Sequence, residues 1–113
     1  MKQIVAYISP SMLPSVTLAL RKLEDLPGLS VSEVRDFGRD RIPQANPPIV
    51  QELVDYTPYM RIEIFCADEQ VCEVVWTMEN AAHTGQSGDG KIYVLEVCRA
   101  ICIQTAEREE MAA

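Results

Sequence analysis

The chain has 113 residues, of which 48% are hydrophobic, and a formal net charge of −7. This length fits one globular domain, residues 1–113, whose modest core leaves self-association as an expected way to bury more surface. The acidic balance argues against nucleic acid or an anionic membrane as the main partner. No apolar run is long enough for a signal peptide or a membrane span, which predicts a cytoplasmic protein without direct membrane insertion.

The first part of the chain predicts a strand, a helix and a second strand. Residues 2–8 are rich in β-formers and predict the first strand. Ser11 is the expected N-cap of a helix that Pro27 and Gly28 end. Residues 29–38 alternate apolar and polar side chains, which predicts the second strand. The helix is indicated by apolar residues at helical spacing: Leu13, Val16, Leu20 and Leu23.

Residues 39–57 interrupt this pattern with three prolines and no glycine. Connections of this length inside a compact domain are usually functional or disordered, so we expect a long flexible loop, with a turn or two of helix in residues 49–56.

The order then repeats: a strand at 59–66, a helix capped by Asp68, and a strand at 91–97. This βαβ–loop–βαβ order predicts an α+β, ferredoxin-like split fold with an antiparallel sheet and two helices on one face. Residues 107–113 are expected to form a charged C-terminal tail. The second helix is indicated by an apolar stripe: Val71, Val74, Val75, Met78 and Ala82.

The most informative stretch is TGQSGDGKIYV, residues 84–94, which places three glycines directly before the last strand. Glycine accepts backbone angles that a Cβ forbids, and successive N–H groups in such a turn can hold an anion. Lys91 adds a positive charge suited to a phosphate. Gly-Asp-Gly is also an ordinary turn into a strand, and the residues alone leave both interpretations open.

Four cysteines and one histidine raise a second hypothesis. Cys66, Cys72, Cys98 and Cys102 are not spaced as CxxC, so they do not indicate a structural zinc site. Buried reduced thiols are the simpler explanation of them. Together with the methionines and His83 they also make a Cu(I)-binding or thiol protein conceivable.

Several separated blocks together resemble the PII signal-transduction protein family: VSEVRDFGR (31–39), MRIEI (60–64), TGQSGDGKIYVLEV (84–97), and Thr105 with Glu107 and Arg108. The resemblance covers nearly the whole chain, apart from one extra residue near Pro27. It implies a homotrimeric regulator with the ferredoxin-like fold that binds adenine nucleotides in clefts between subunits. It further implies that residues 39–57 dock on a target protein, such as a membrane transporter or a metabolic enzyme.

The resemblance also implies a set of nucleotide-binding residues. Those of the phosphate loop are Gly88, Asp89, Gly90 and Lys91. Those at the base of the long loop are Phe37, Gly38 and Arg39. Ser30 keeps a hydroxyl where the family commonly has threonine, and Glu63, Ile64 and Phe65 correspond to residues along the adenine and ribose.

The chain departs from the family pattern at other positions. Cys102 and Gln104 stand where two arginines usually hold phosphates, which favours ADP or AMP over ATP unless Arg108 or Lys2 compensates. Asp40 and Tyr59 replace the glutamine and lysine of the 2-oxoglutarate site, and Asp36 replaces a usual glycine. The resemblance therefore implies a divergent regulator without the family's 2-oxoglutarate sensing.

Three classes of function follow from the sequence. The first is a nucleotide-binding PII-like regulator with no tightly bound cofactor. The alternative is a cytosolic metal- or thiol-binding trimer of CutA-like type on the same fold. An enzyme is not expected, because no paired carboxylates and no nucleophile–base signature are present.

Overall fold

The computed structural model describes residues 1–37 and 56–112. Its regular elements are strand β1 (Lys2–Ile8), helix α1 (Leu13–Arg21), strand β2 (Leu29–Asp36), strand β3 (Thr57–Cys66), helix α2 (Val71–Ala82) and strand β4 (Gly90–Glu96). Short 3-10 turns occupy Pro10–Met12, Asp68–Gln70 and Glu109–Ala112. This order confirms the predicted repeat of two βαβ units.

The four strands form one antiparallel sheet in the order β2-β3-β1-β4. β1 lies in the centre, where Ile4 faces Ile64 of β3 on one side and Val94 of β4 on the other. β2 pairs with the outer side of β3. The arrangement is the ferredoxin-like split βαβ fold that the sequence predicts, and it places β2 and β4 at opposite edges of the sheet.

The core lies between one face of the sheet and the two helices. Every second residue of β1 and β3 points to this face, as expected for a strand period of two. Both helices add residues at helical spacing, because an amphipathic helix buries one stripe. The core residues are Ile4, Ala6, Ile8, Val16, Leu20, Ile62, Ile64, Cys66, Val74, Met78 and Ala82.

The opposite face of the sheet has no helix over it in the described residues. Tyr7 and Tyr93 meet edge to face on this side, with ring centroids 6.2 Å apart. Glu63 accepts hydrogen bonds from Gln3 Nε2 and from an Arg61 nitrogen, each at 2.9 Å. Tyr93 is 49% exposed and Leu95 44% exposed. We call this side the open face of the sheet.

The predicted boundaries of α1 are wrong at both ends. Ser11 lies in the preceding 3-10 turn, where its hydroxyl contacts that of Ser9 at 3.1 Å, and Met12 holds the N-cap position. The helix ends at Arg21, well before Pro27 and Gly28. Asp25 has a positive φ of 59°, so the chain has already left the helix there.

Asp68 does not cap α2. The Asp68–Gln70 turn precedes the helix, and the side chain of Gln70 accepts a hydrogen bond from Ala67 N at 3.0 Å. Asp68 instead forms an ion pair with the amino group of Met1 at 2.8 Å. This hydrogen bond to the N-terminus lowers the pKa of the Asp68 carboxyl.

Most of the predicted long loop lies outside the described residues, as do residues 49–55 of the helical turn expected at 49–56. Thr57 already belongs to β3, which starts two positions earlier than predicted. The expected charged tail is partly ordered, because Ile101 bridges to Arg108 and Cys102 N donates to Glu107 O at 2.8 Å. No helix in the described part of the chain is long and apolar enough to cross a membrane.

Candidate functional site

The glycine loop, residues 83–90, connects α2 to β4 and is organised by Asp89. The Asp89 carboxylate accepts hydrogen bonds from Thr84 N at 2.8 Å, from Gly85 N at 3.0 Å and from the Thr84 hydroxyl. His83 Nδ1 lies 3.6 Å away. The hydrogen bond from the Thr84 side chain is the main cause that lowers the pKa of Asp89. Part of the loop therefore binds an anion that the chain itself supplies.

The three glycines of the loop all have positive φ, but for different reasons. The φ values are 84° at Gly85, 92° at Gly88 and 108° at Gly90. A Cβ on Gly90 would lie 1.7 Å from the carbonyl oxygen of Tyr7, so β1 itself requires glycine here. A Cβ on Gly88 would meet nothing within 4 Å. A Cβ on Gly85 would contact only His83 Nε2, at 3.9 Å, so of the three glycines Gly90 alone is required by close packing.

A groove with a volume of about 1480 Å³ runs from the glycine loop to the ends of β2 and β3. Its floor includes Tyr7 and Tyr93 of the open face. Residues 86–91 form one wall, and Arg35, Asp36, Tyr59 and Arg61 line the rest. Its volume is above the range typical of small-molecule sites, so a mononucleotide has enough space.

The structure brings one group of the predicted site residues to the same end of the sheet. Gly90 faces Ile8 across β4 and β1, while Asp36 faces Thr57 across β2 and β3. Phe37, which is 65% exposed, and the loop from Gly88 to Lys91 therefore lie at this end. We call it the loop end of the sheet. Gly38 and Arg39 lie outside the described residues.

The second group lies further along the strands. Ser30 pairs with Glu63 between β2 and β3, and Phe65 is 38% exposed on the same face as Glu63. Ser30 and Phe37 are separated by about 23 Å of extended chain, at ~3.3 Å per residue. Ile64 is fully buried under the helices, and β3 pairs with β1 and with β2 at this position, so neither its side chain nor its backbone is accessible to a ligand in the described chain.

Comparisons with known proteins show the family of the chain. The family model described as Nitrogen regulatory protein P-II matches residues 1–107. The chain is 38% identical to Nitrogen regulatory protein GlnK of Escherichia coli (strain K12) over 112 residues, which cover 99% of each chain. It is equally similar, over the same share of each chain, to Nitrogen regulatory protein P-II of Pasteurella multocida. The chain belongs to the P-II family.

A solved structure supports the same conclusion at the level of the fold. The crystal structure of Arabidopsis thaliana PII bound to citrate superimposes with a TM-score of 0.78 at 33% sequence identity. The match covers 99% of this chain and 91% of that chain. The P-II assignment thus rests on both sequence and fold.

The C-terminal segment of this P-II protein starts at the end of the sheet opposite to the glycine loop. They follow Glu96, which pairs with Lys2 at the far end of β4, whereas Gly90 pairs with Ile8. Lys2 also makes an ion pair with Glu96, and that hydrogen bond is the main cause that raises the pKa of Lys2. Lys2 is therefore not placed to assist Lys91 of the same chain.

The four cysteines of the chain occupy different environments. Cys66 is buried in the core, and this burial raises the pKa of its thiol. Cys102 is half-buried in the C-terminal turn, where a hydrogen bond with the Thr105 side chain lowers its pKa. Cys72 and Cys98 are exposed. Within residues 1–37 and 56–112, no group of three or more histidine, cysteine or carboxylate residues could hold a metal ion.

Two residues of the site were missed by the sequence reasoning. Arg35 lines the groove, and its guanidinium carbon lies 4.8 Å from the centroid of the Tyr56 ring. Tyr56 also packs against Phe37, with ring centroids 6.1 Å apart. Arg35 precedes the predicted contact Phe37 by two positions in the sequence. Tyr56 had no local signal, because it comes next to Phe37 only when β2 and β3 pair.

Proposed function

We propose that this protein is a regulator that binds an adenine nucleotide, ADP, AMP or ATP, in clefts between the subunits of a homotrimer. It acts on a target protein, a membrane transporter or a metabolic enzyme, through residues 39–57. Membership of the P-II family supports the regulatory class, and it makes a regulator rather than an enzyme the expected activity.

The observation that carries this proposal is the separation of the candidate residues along the strands. Phe37 and the loop from Gly88 to Lys91 lie at the loop end, whereas Ser30, Glu63 and Phe65 lie towards the other end. One chain therefore presents two incomplete surfaces. A second copy that packs against the open face completes the site by placing its second group of residues against the loop end of the first.

The open face supports such packing by a second copy. Tyr93, Leu95 and Phe65 expose large apolar areas in the isolated chain. An extended apolar patch on a small domain usually marks an interaction surface. Closed symmetric assemblies of identical subunits are the common way to cover one.

At the loop end, the chemistry suits a phosphate. Lys91 contributes a positive charge near Gly88, and both residues line the groove. Asp89 serves the loop by holding Thr84 and Gly85, so we assign it a structural role in the site.

A second effector of the 2-oxoglutarate type does not fit this groove. Tyr59 lines it with a phenol at the position of the family's lysine, and Asp36 adds a carboxylate nearby. Beside Tyr59 and Asp36, a dicarboxylate would meet a carboxylate at the place where the family's lysine supplies a counter-charge. Asp40, the other altered position, lies outside the described residues.

The proposal is tested by calorimetric titration of the purified protein with ATP, ADP and AMP, with and without 2-oxoglutarate. We expect saturable nucleotide binding and no effect of 2-oxoglutarate. Lys91→Ala should weaken binding about tenfold or more, because a charge-assisted hydrogen bond contributes ~1.5–3 kcal/mol. Light scattering should show an unchanged oligomer.

Lys22→Ala is the matched control, because Lys22 is an exposed lysine just after α1 and outside the groove. It should bind nucleotide as the unmodified protein does. Absence of nucleotide binding, together with stoichiometric Cu(I) or Zn(II) binding that Cys102→Ser abolishes, would replace the proposal by the CutA-like alternative.

A further inference from the structure

The groove concentrates positive charge in a chain that is negative overall. Arg35, Arg61 and Lys91 line it, against the two carboxylates Asp36 and Asp89. The whole chain has a formal net charge of −7. A phosphate approaching this protein is repelled on average, so the local cations decide whether it binds.

Arg61 and Asp89 are already committed to partners within the chain. Arg61 donates to Glu63 at 2.9 Å, and hydrogen bonds to Glu63 and then to Tyr7 raise the pKa of its guanidinium. The carboxylate of Asp89 accepts the hydrogen bonds of the glycine loop. The charged groups of these two residues are already hydrogen-bonded within the chain, so they contribute less to ligand binding.

Arg35 differs from them in both its position and its partner. Its guanidinium lies over the face of the Tyr56 ring at 4.8 Å, and it forms no ion pair within the described residues. A cation–π contact holds the plane of a guanidinium without using its N–H donors. The packing of Tyr56 against Phe37 in turn fixes the ring at the loop end.

We propose that Arg35 binds the terminal phosphates of a nucleoside polyphosphate that lies in the groove. It acts from β2, at the sheet edge opposite to the one from which Lys91 acts. The fork of N–H donors matches phosphate oxygens in pairs, and Tyr56 holds that fork in advance. This assignment rests on the proposed nucleotide binding and adds a specificity determinant to it: Arg35 selects ligands by the number of their phosphates.

The test compares Arg35→Gln with the unmodified protein by titration with ATP, ADP and AMP. We expect the ATP affinity to fall about tenfold or more, the ADP affinity to fall less, and the AMP affinity to stay unchanged. Inorganic tripolyphosphate should displace ATP from the unmodified protein and do so poorly in the variant. Arg21→Gln, an exposed arginine at the end of α1, is the matched control and should bind all three nucleotides normally.

Further variants keep the test decisive if Arg35→Gln folds poorly. Arg35→Lys keeps the charge but loses the planar stacking, and should lower the ratio of ATP affinity to AMP affinity by less than Arg35→Gln does. Tyr56→Phe should leave this ratio unchanged, whereas Tyr56→Ala should lower it. If a folded Arg35→Gln variant keeps its ATP affinity, or loses affinity equally for AMP and ATP, the proposal for Arg35 is wrong while the proposed nucleotide binding stands. If the unmodified protein binds no nucleotide, both proposals fail.

Discussion

The backbone N–H of Thr84 donates a hydrogen bond to the carboxylate of Asp89 at 2.8 Å. The aspartate closes the glycine loop on itself, together with the N–H of Gly85 at 3.0 Å. The glycine-rich stretch that the sequence suggests as an anion-binding loop therefore uses two of its N–H groups to bind the carboxylate of Asp89. Space for an external phosphate remains around Gly88 and Lys91.

This closure predicts a pH dependence. Because the folded-state pKa of Asp89 is lowered below 3.8, its contribution is fully present above the ordinary carboxyl range and is lost as the pH falls through the folded pKa. NMR should show the Thr84 and Gly85 amides protected from exchange until the pH is below 3.8. Asp89→Ala, which has no side-chain acceptor, should remove this protection at every pH. Loss of protection in the unmodified protein already above the ordinary carboxyl range would contradict the account.

The glycines predict a ranked series of alanine variants. Gly28→Ala should change stability by less than about 1 kcal/mol, since its Cβ meets nothing within 4 Å and its φ is ordinary. Gly88→Ala should cost about 1–3 kcal/mol from its positive φ alone. Gly90→Ala should cost more than Gly88→Ala, because its Cβ would overlap Tyr7 O.

Denaturant unfolding at one fixed protein concentration measures this series, because association makes stability depend on concentration. Equal losses of unfolding free energy in Gly88→Ala and Gly90→Ala would show that the close approach of β1 to Gly90 does not add to the cost of a Cβ there.

Local patterns predicted the strands, the second helix and the fold class, because strand alternation and helical stripes are visible along the chain. The end of α1 was misplaced, because the chain leaves the helix at Lys22 and takes a positive φ at Asp25, whereas Pro27 and Gly28 only follow. The role of Asp68 depends on Met1, far away in sequence, and no local rule reveals such a partner.

The candidate site shows the same limit. The glycine loop was visible as a motif in the sequence. Only the pairing of β4 with β1 shows that Gly90 is required because its backbone lies against the carbonyl oxygen of Tyr7, and not because a ligand approaches it. Ile64 and Phe65 are neighbours in the sequence, yet the strand period sends one into the core and leaves the other on the surface.

Ile64 and Phe65 therefore predict opposite effects. Ile64→Ala should lower the free energy of unfolding by about 2–5 kcal/mol, as expected for a fully buried side chain. Phe65→Ala should affect stability less and should weaken nucleotide binding instead. Unfolding curves and calorimetric titration of both variants check the two readouts. A Phe65→Ala variant with unchanged nucleotide affinity would remove Phe65 from the site.

The open face predicts the effect of a charge on assembly. Leu95→Glu should shift the protein from the proposed trimer to a monomer in analytical ultracentrifugation, because a buried carboxylate without a partner is costly. Leu18→Glu is the matched control, since Leu18 is 59% exposed on α1, away from the open face. If Leu95→Glu assembles as the unmodified protein does, the interface lies elsewhere.

The central claim is a nucleotide site shared between subunits, and mixed trimers test it most directly. Lys91→Ala removes the phosphate-binding lysine at the loop end, and Ser30→Glu places a carboxylate among the second group of site residues. A trimer made of either variant alone should therefore bind nucleotide poorly. In a cyclic trimer that contains both variants, about one cleft combines an intact Lys91 with an intact Ser30 from its neighbour. The account predicts that calorimetric titration of the mixed trimers recovers about one tight site each. Mixed trimers that recover no binding would contradict it.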